Sequence, residues 1–190
     1  LKYDDIELDM QWFPHILSLT LIKYFPRIYT VSPTKLVLDF KENQPLALRK
    51  VRNLALEALR DYKELEAFRR GYLVALPSHD PNKVNAPCEY LCAELARAFP
   101  HQLVHLGQVL KRVIKVEKSA TAPSGKRPTY ADHISSIVYA GPQINSRERI
   151  IIVDDVLTLE ATSSACRDIL KQATGCKDVQ GFFVAKTTYQ

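Results

Sequence analysis

Arg149-Ile150-Ile151-Ile152-Val153-Asp154-Asp155-Val156-Leu157-Thr158-Leu159-Glu160-Ala161-Thr162 decides the reading of this chain. After Arg149, Ile150 to Val153 is an unbroken β-branched run, the composition of a strand buried on both faces. Two adjacent carboxylates, Asp154 and Asp155, close the run, and a short threonine-containing turn follows. From Ala161 to Ala173 the apolar residues Ala165, Cys166, Ile169, Leu170 and Ala173 recur at helical spacing, and Gly175 stops the helix. A buried strand delivering paired acids to a sheet edge, then a turn into a helix, is a specific local design. The helix start offers unpaired backbone N–H groups and a positive dipole end, which together suit an anion. Thr158, Thr162 and Ser163 add hydroxyl donors.

Outward from this block, strands and helices alternate. Tyr72 to Leu76 is a short apolar run ending at Pro77 and reads as a second buried strand. Pro87 to Phe99 reads as a helix stopped by Pro100, and Pro45 to Tyr62 as a long amphipathic helix. Leu103 to Leu106, Ile134 to Tyr139 and Val179 to Ala185 read as further strands. This order predicts an α/β fold: a central, mostly parallel sheet with flanking helices that binds ligand at the C-terminal ends of its strands. Residues 1–35, dense in aromatics (Tyr3, Trp12, Phe13, Tyr24, Phe25, Tyr29) and prolines, are expected to form a small irregular N-terminal cap, or a short helix, over an α/β domain of residues 36–190. Lys111 to Asp132 is expected as a long mobile loop.

Length and composition agree with one such domain. The chain has 190 residues, 46% hydrophobic and 25% charged, so wholesale disorder is excluded. Its net charge of +5 is mild and suits an anionic ligand or nucleic acid without choosing between them. No apolar stretch is long enough to span a bilayer and no signal-peptide pattern is seen, so no membrane association is expected. Cys88, Cys92, Cys166 and Cys176 form no CxxC pair, which argues against a zinc ribbon or redox dithiol and for a reduced, cytoplasmic setting.

A phosphate held by the turn and a diol held by the two acids outline a ribose 5-phosphate. The block Ile150–Thr162 resembles the PRPP-binding signature of the type I phosphoribosyltransferases. Leu36 to Lys41 followed by a helix, and Leu76-Pro77-Ser78-His79-Asp80-Pro81 followed by a second helix, are similar to the ComF-like branch of that family. The resemblance implies a role for each segment. Asp154 and Asp155 would bind the ribose hydroxyls as the catalytic pair. Thr158, Leu159, Glu160, Ala161, Thr162 and Ser163 would cradle the 5-phosphate. Ser78, His79 and Lys83 would hold pyrophosphate. The loop carrying Lys111, Arg112, Lys126 and Arg127 would close over the site. Mg2+ would be held mainly through PRPP, with Asp154 and Asp155 as further ligands. The implied reaction transfers ribose 5-phosphate to an unidentified nitrogen acceptor and releases pyrophosphate. Charge on the departing group then needs neutralising and water excluding, and the six basic side chains against one acid in residues 111–127 could supply the positive charge.

Two departures from the family pattern stand out. Thr158-Leu159-Glu160 replaces the usual Thr-Thr-Gly, and the cysteine-rich module common in ComF-like proteins is absent. A carboxylate about 5 Å from a bound phosphate, at an effective dielectric near 20, repels it by roughly 3 kcal/mol unless compensated. An alternative function is therefore a non-catalytic PRPP or nucleotide sensor, or a DNA-uptake accessory protein touching single-stranded DNA; a homodimer is left open.

Plainer readings compete with several of these assignments. The basic loop is equally read as a solvated surface loop. Consecutive Ser78-His79-Asp80 side chains diverge and cannot form a triad. His101 and His105 share a metal-like spacing, but a strand start replaces the helix such a site needs. Cys88 and Cys92 read as buried small hydrophobes.

Overall fold

The computed structural model describes residues 3, 5–13, 18–24, 32–61, 70–117, 127–158 and 160–187. Six strands form the central sheet: β1 (Gln11–Phe13), β2 (Ser18–Tyr24), β3 (Gly71–Ala75), β4 (Leu103–His105), β7 (Arg149–Leu157) and β8 (Asp178–Thr187), in the order β1-β2-β8-β7-β3-β4. Every neighbouring pair is parallel except the edge hairpin β1–β2. The expected mostly parallel α/β sheet with flanking helices is therefore present. A separate two-stranded antiparallel sheet joins β5 (Leu110–Arg112) to β6 (Ile137–Tyr139).

Helices α1 (Ser32–Lys41), α2 (Pro45–Asp61) and α3 (Ala86–Ala98) cover one face of the main sheet. Leu36, Val37, Phe40, Val51, Ala55, Leu91 and Leu95 pack there against Ile151 and Val153 of β7. On the other face, Cys166 and Leu170 of α5 (Ala161–Thr174) pack with Ile150 and Ile152, together with Leu110 and Ile137 of the small sheet. Alternate β7 residues thus enter opposite cores, as a strand buried on both sides requires. Helix α4 (Tyr130–Ser136) begins at a capping box in which Thr129 and Asp132 exchange hydrogen bonds, and α5 ends at Gly175 in the left-handed conformation.

Three segments differ from the sequence reading. Residues 1–35, expected as an irregular cap or short helix, contribute β1 and β2 to the central sheet. β2 pairs along β8, and its apolar residues Leu19, Leu21 and Ile22 are buried in the core with Phe182, Val184 and Ala185. Leu36 to Lys41 lies within α1, where Thr34, Leu36, Val37 and Phe40 are buried, and the helix expected after it is α2. Ile134 to Tyr139 is not all strand: the Thr129 cap makes residues 130–136 helical, and only 137–139 are extended. The Lys111–Asp132 segment is not a continuous loop, since β5 opens it and α4 closes it; its residues 118–126 lie outside the described part.

Candidate functional site

The two acids lie inside a strand rather than in the turn after it. β7 stays paired with β8 as far as Leu157, opposite Lys186, whereas its ladder with β3 ends at Ala75 opposite Val153. One more bond, from the Leu76 N–H to the Val153 carbonyl at 2.9 Å, marks where the two chains part. Asp154 is the next residue. The connection after β3 leads through α3 to β4, on one side, and the connection after β7 leads through α5 to β8, on the other. Adjacent parallel strands whose connections leave in opposite directions create a crevice beyond their C-terminal ends, the usual binding place in such sheets. Asp154 and Asp155 stand at its floor.

Both carboxylates already have partners. Asn85 Nδ2 donates to Asp154 Oδ1 at 3.2 Å and to the Leu76 carbonyl at 3.1 Å. Asn85 occupies the N-cap position of α3 but makes no side-chain cap bond there, so its amide braces the crevice instead of the helix. Lys41 Nζ, at the end of α1, pairs with Asp155 Oδ1 at 3.3 Å. Burial, and then the neighbouring Asp155 charge, push the Asp154 carboxyl up to about 7; Lys41 and the Asn85 bond pull the other way.

The turn into α5 holds the second group of candidates. Thr158 is exposed, Glu160, Ala161 and Thr162 are half-buried, and Ser163 is buried with its hydroxyl donating to the Glu160 carbonyl at 3.0 Å. Glu160 takes the place where the resembled family has glycine, and it adopts glycine's conformation, φ 60° and ψ −5°. Burial lowers the pKa of the Arg167 guanidinium, two turns further along α5, while the Glu160 carboxylate favours its charged form, so the unfavourable charge at the turn has a nearby cation. Leu159 lies outside the described residues.

Of the proposed pyrophosphate loop, Ser78 and His79 are half-buried and Lys83 is exposed. The Asp80 carboxylate accepts from the Asn82 N–H at 3.0 Å, and the Lys83 N–H bonds the Asp80 carbonyl at 3.1 Å, which folds the loop into a tight turn. The stretch after β5 docks on it: the Val116 N–H reaches the His79 carbonyl at 3.1 Å.

Arg112 was expected in a mobile loop, but it is a buried residue of β5. Its Nε donates to the Ser78 carbonyl at 2.9 Å and its Nη1 to Ser136 Oγ at 2.6 Å. Lys111 alternates with it on the strand and is exposed, as is Arg127; Lys126 lies outside the described residues. Sequence reading missed Asn85, Lys41 and His133. Asn85 had a signal, its place just before the Ala86-Pro87 helix start. His133 had none, because its segment was read as strand and loop.

All four thiols are buried and free, Cys88 and Cys92 as expected for small core residues. His105 pairs with Glu89 at 2.6 Å instead of facing His101. Among the described residues there is no group of three or more His, Cys, Asp or Glu that could hold a metal, and no helix long and apolar enough to cross a membrane.

No family profile matches the sequence, and no curated protein matches it either. Among solved structures the chain is similar to an adenine phosphoribosyltransferase from Leishmania tarentolae, with 12% identity, 94% of each chain covered and a TM-score of 0.41. It is likewise similar to the adenine phosphoribosyltransferase from Trypanosoma brucei solved with AMP, pyrophosphate and ribose-5-phosphate, with 12% identity, 96% of this chain and 87% of that chain covered, and a TM-score of 0.47.

Proposed function

We propose that this chain binds PRPP and transfers its ribose 5-phosphate to a nitrogen nucleophile, releasing pyrophosphate. The observation that carries this reading is the placement of Asp154 and Asp155 just past the last β3–β7 pairing, three residues before the turn into α5. Carboxylates on the floor accept from the ribose hydroxyls, while the α5 N-terminus with Thr158, Thr162 and Ser163 takes the 5-phosphate. The Ser78–Lys83 turn across the crevice takes the pyrophosphate.

In this reaction the C1–oxygen bond to pyrophosphate breaks, a C1–nitrogen bond forms, and the nitrogen loses its proton. Positive charge grows at C1 and negative charge on the departing oxygens. Hard carboxylate oxygens at one strand end suit Mg2+ that is held chiefly by a substrate's phosphates and only in part by the protein. Such an ion, when bound, neutralises charge on the leaving group. Asp154 and Asp155 would be its protein ligands and would orient the sugar.

The test is calorimetry with PRPP. Binding is expected to require Mg2+ and to vanish in the Asp154→Asn/Asp155→Asn double variant; unchanged binding there removes the proposal.

A second reading, PRPP binding without turnover, has its own support. Glu160 occupies the phosphate turn and Lys41 already neutralises Asp155. Pyrophosphate release in the presence of PRPP, Mg2+ and a panel of nucleobases separates the two. Release marks an enzyme; tight binding with no release marks a sensor.

A further inference from the structure

His133 holds two polar partners at once, and their chemistry fixes where its proton sits. Arg112 Nη1 lies 3.3 Å from His133 Nδ1, and Thr162 Oγ1 lies 3.0 Å from His133 Nε2. A guanidinium has donors only, so Nδ1 accepts. A neutral ring then carries its single hydrogen on Nε2 and donates it to the threonine oxygen. The hydrogen of the Thr162 hydroxyl is left for another acceptor.

We propose that His133 is a positioning residue: held in its Nε2–H form by Arg112, it turns the Thr162 hydroxyl hydrogen toward an anionic oxygen bound at the N-terminus of α5. This rests on the phosphate site proposed above and adds a residue that the site's own motif does not contain.

The surroundings keep the arrangement fixed. His133 is 2% exposed and Arg112 6%, and Ser136 beneath them is buried too. Arg112 is anchored at its far side by the Ser78 carbonyl, so an unbroken chain of hydrogen bonds runs from the Ser78 loop through Arg112 and His133 to the α5 turn. Among the described residues no carboxylate forms an ion pair with Arg112, which leaves the histidine nitrogen, Ser136 and the Ser78 carbonyl as its partners. The charged groups around the ring are Arg112 on β5 and Asp132 on its own helix. Burial and Arg112 outweigh Asp132 and push the imidazole down to about 4. Burial pushes the Cys166 thiol of α5 up to about 12, against the opposing pull of Arg112, so it stays neutral. The ring is therefore uncharged throughout the neutral range, and it acts as a fixed donor rather than a switch.

Two measurements test this. In the protein alone, nitrogen NMR of the His133 ring is expected to show the Nε2–H form with no titration between about pH 5 and 8. An Nδ1–H ring, or a midpoint near the ordinary histidine value, overturns the inference whatever the ligand is. In the second, PRPP with Mg2+ is titrated into variants. His133→Leu is expected to weaken binding about tenfold, and His133→Gln, whose amide offers both an acceptor and a donor, to stay within about threefold of wild type. In a Thr162→Val background the Leu substitution is expected to add no further loss, a result that general damage to packing would not give. Equal affinity in wild type and a folded His133→Leu variant overturns the inference. The same variants titrated with inorganic phosphate read the α5 turn without the sugar. Phosphate binding that depends on His133, with no PRPP binding, supports the positioning role and removes the proposed function. Phosphate binding indifferent to His133 removes the positioning role.

Discussion

Asn85 Nδ2 spans the crevice wall, 3.1 Å from the Leu76 carbonyl and 3.2 Å from Asp154 Oδ1. The bond stabilises the charged carboxylate and so opposes the burial that raises its pKa. Asn85→Ala is expected to move the Asp154 midpoint further upward, as read by carbon NMR of the labelled carboxyl. A midpoint that stays or falls would show that the amide does not donate to Asp154.

The raised Asp154 carboxyl gives stability a definite pH slope. The folded protein keeps a proton up to about 7 that the unfolded chain releases near 3.8. The folded state thus binds more protons across that window, and its stability falls as pH rises through it and levels off above. Urea unfolding at pH 5, 6, 7 and 8 should trace that decline, and Asp154→Asn should flatten it. Affinity for Mg2+ and PRPP should run the opposite way, increasing as Asp154 ionises near pH 7.

Lys41 is the one described cation paired with Asp155, at 3.3 Å. Lys41→Met leaves the two adjacent carboxylates without the cation that offsets their mutual repulsion. The expected cost is on the order of 1 kcal/mol at pH 8, where Asp154 is ionised, and less at pH 5, where it holds its proton. Chemical unfolding at the two pH values checks this; an equal loss at both would place the effect in packing of the lysine stem.

Glu160 sits at φ 60°, where a side chain costs about 1 kcal/mol that glycine avoids. Glu160→Gly is expected to raise stability by up to about 1 kcal/mol, whereas Glu160→Ala, which keeps the Cβ, should give no such gain. Calorimetry on the same pair separates charge from conformation. If the carboxylate repels phosphate, both variants bind PRPP more tightly than wild type.

Much of the sheet was legible because its strands are bounded apolar runs. The triple isoleucine of β7 and the run before Pro77 admit few alternatives, and the α5 stripe ending at Gly175 fixes the crossover between β7 and β8. The acids were found for the same reason, though their depth in the strand was not. Asp154 and Asp155 remain in register with β8 because β8 runs on to Thr187, and the length of a partner strand is not written in the strand itself. β1 and β2 were missed because aromatics and prolines around them obscure the alternation. α4 was missed because its start depends on a cap at Thr129, with little apolar periodicity behind it. Arg112 and His133 went unread as a pair for that reason: both lie in a stretch whose polarity suggested solvent, and only tertiary burial makes them internal.

The parallel pairing of β2 with β8, Ser18 beside Gly181 and Tyr24 beside Thr187, has a consequence for folding. Until β8 arrives, β2 is a sticky edge with only the short β1 hairpin to shield it, and closing a contact between strands so far apart in sequence is slow. This flank of the sheet is thus expected to close late, and aggregation during refolding to start from β2.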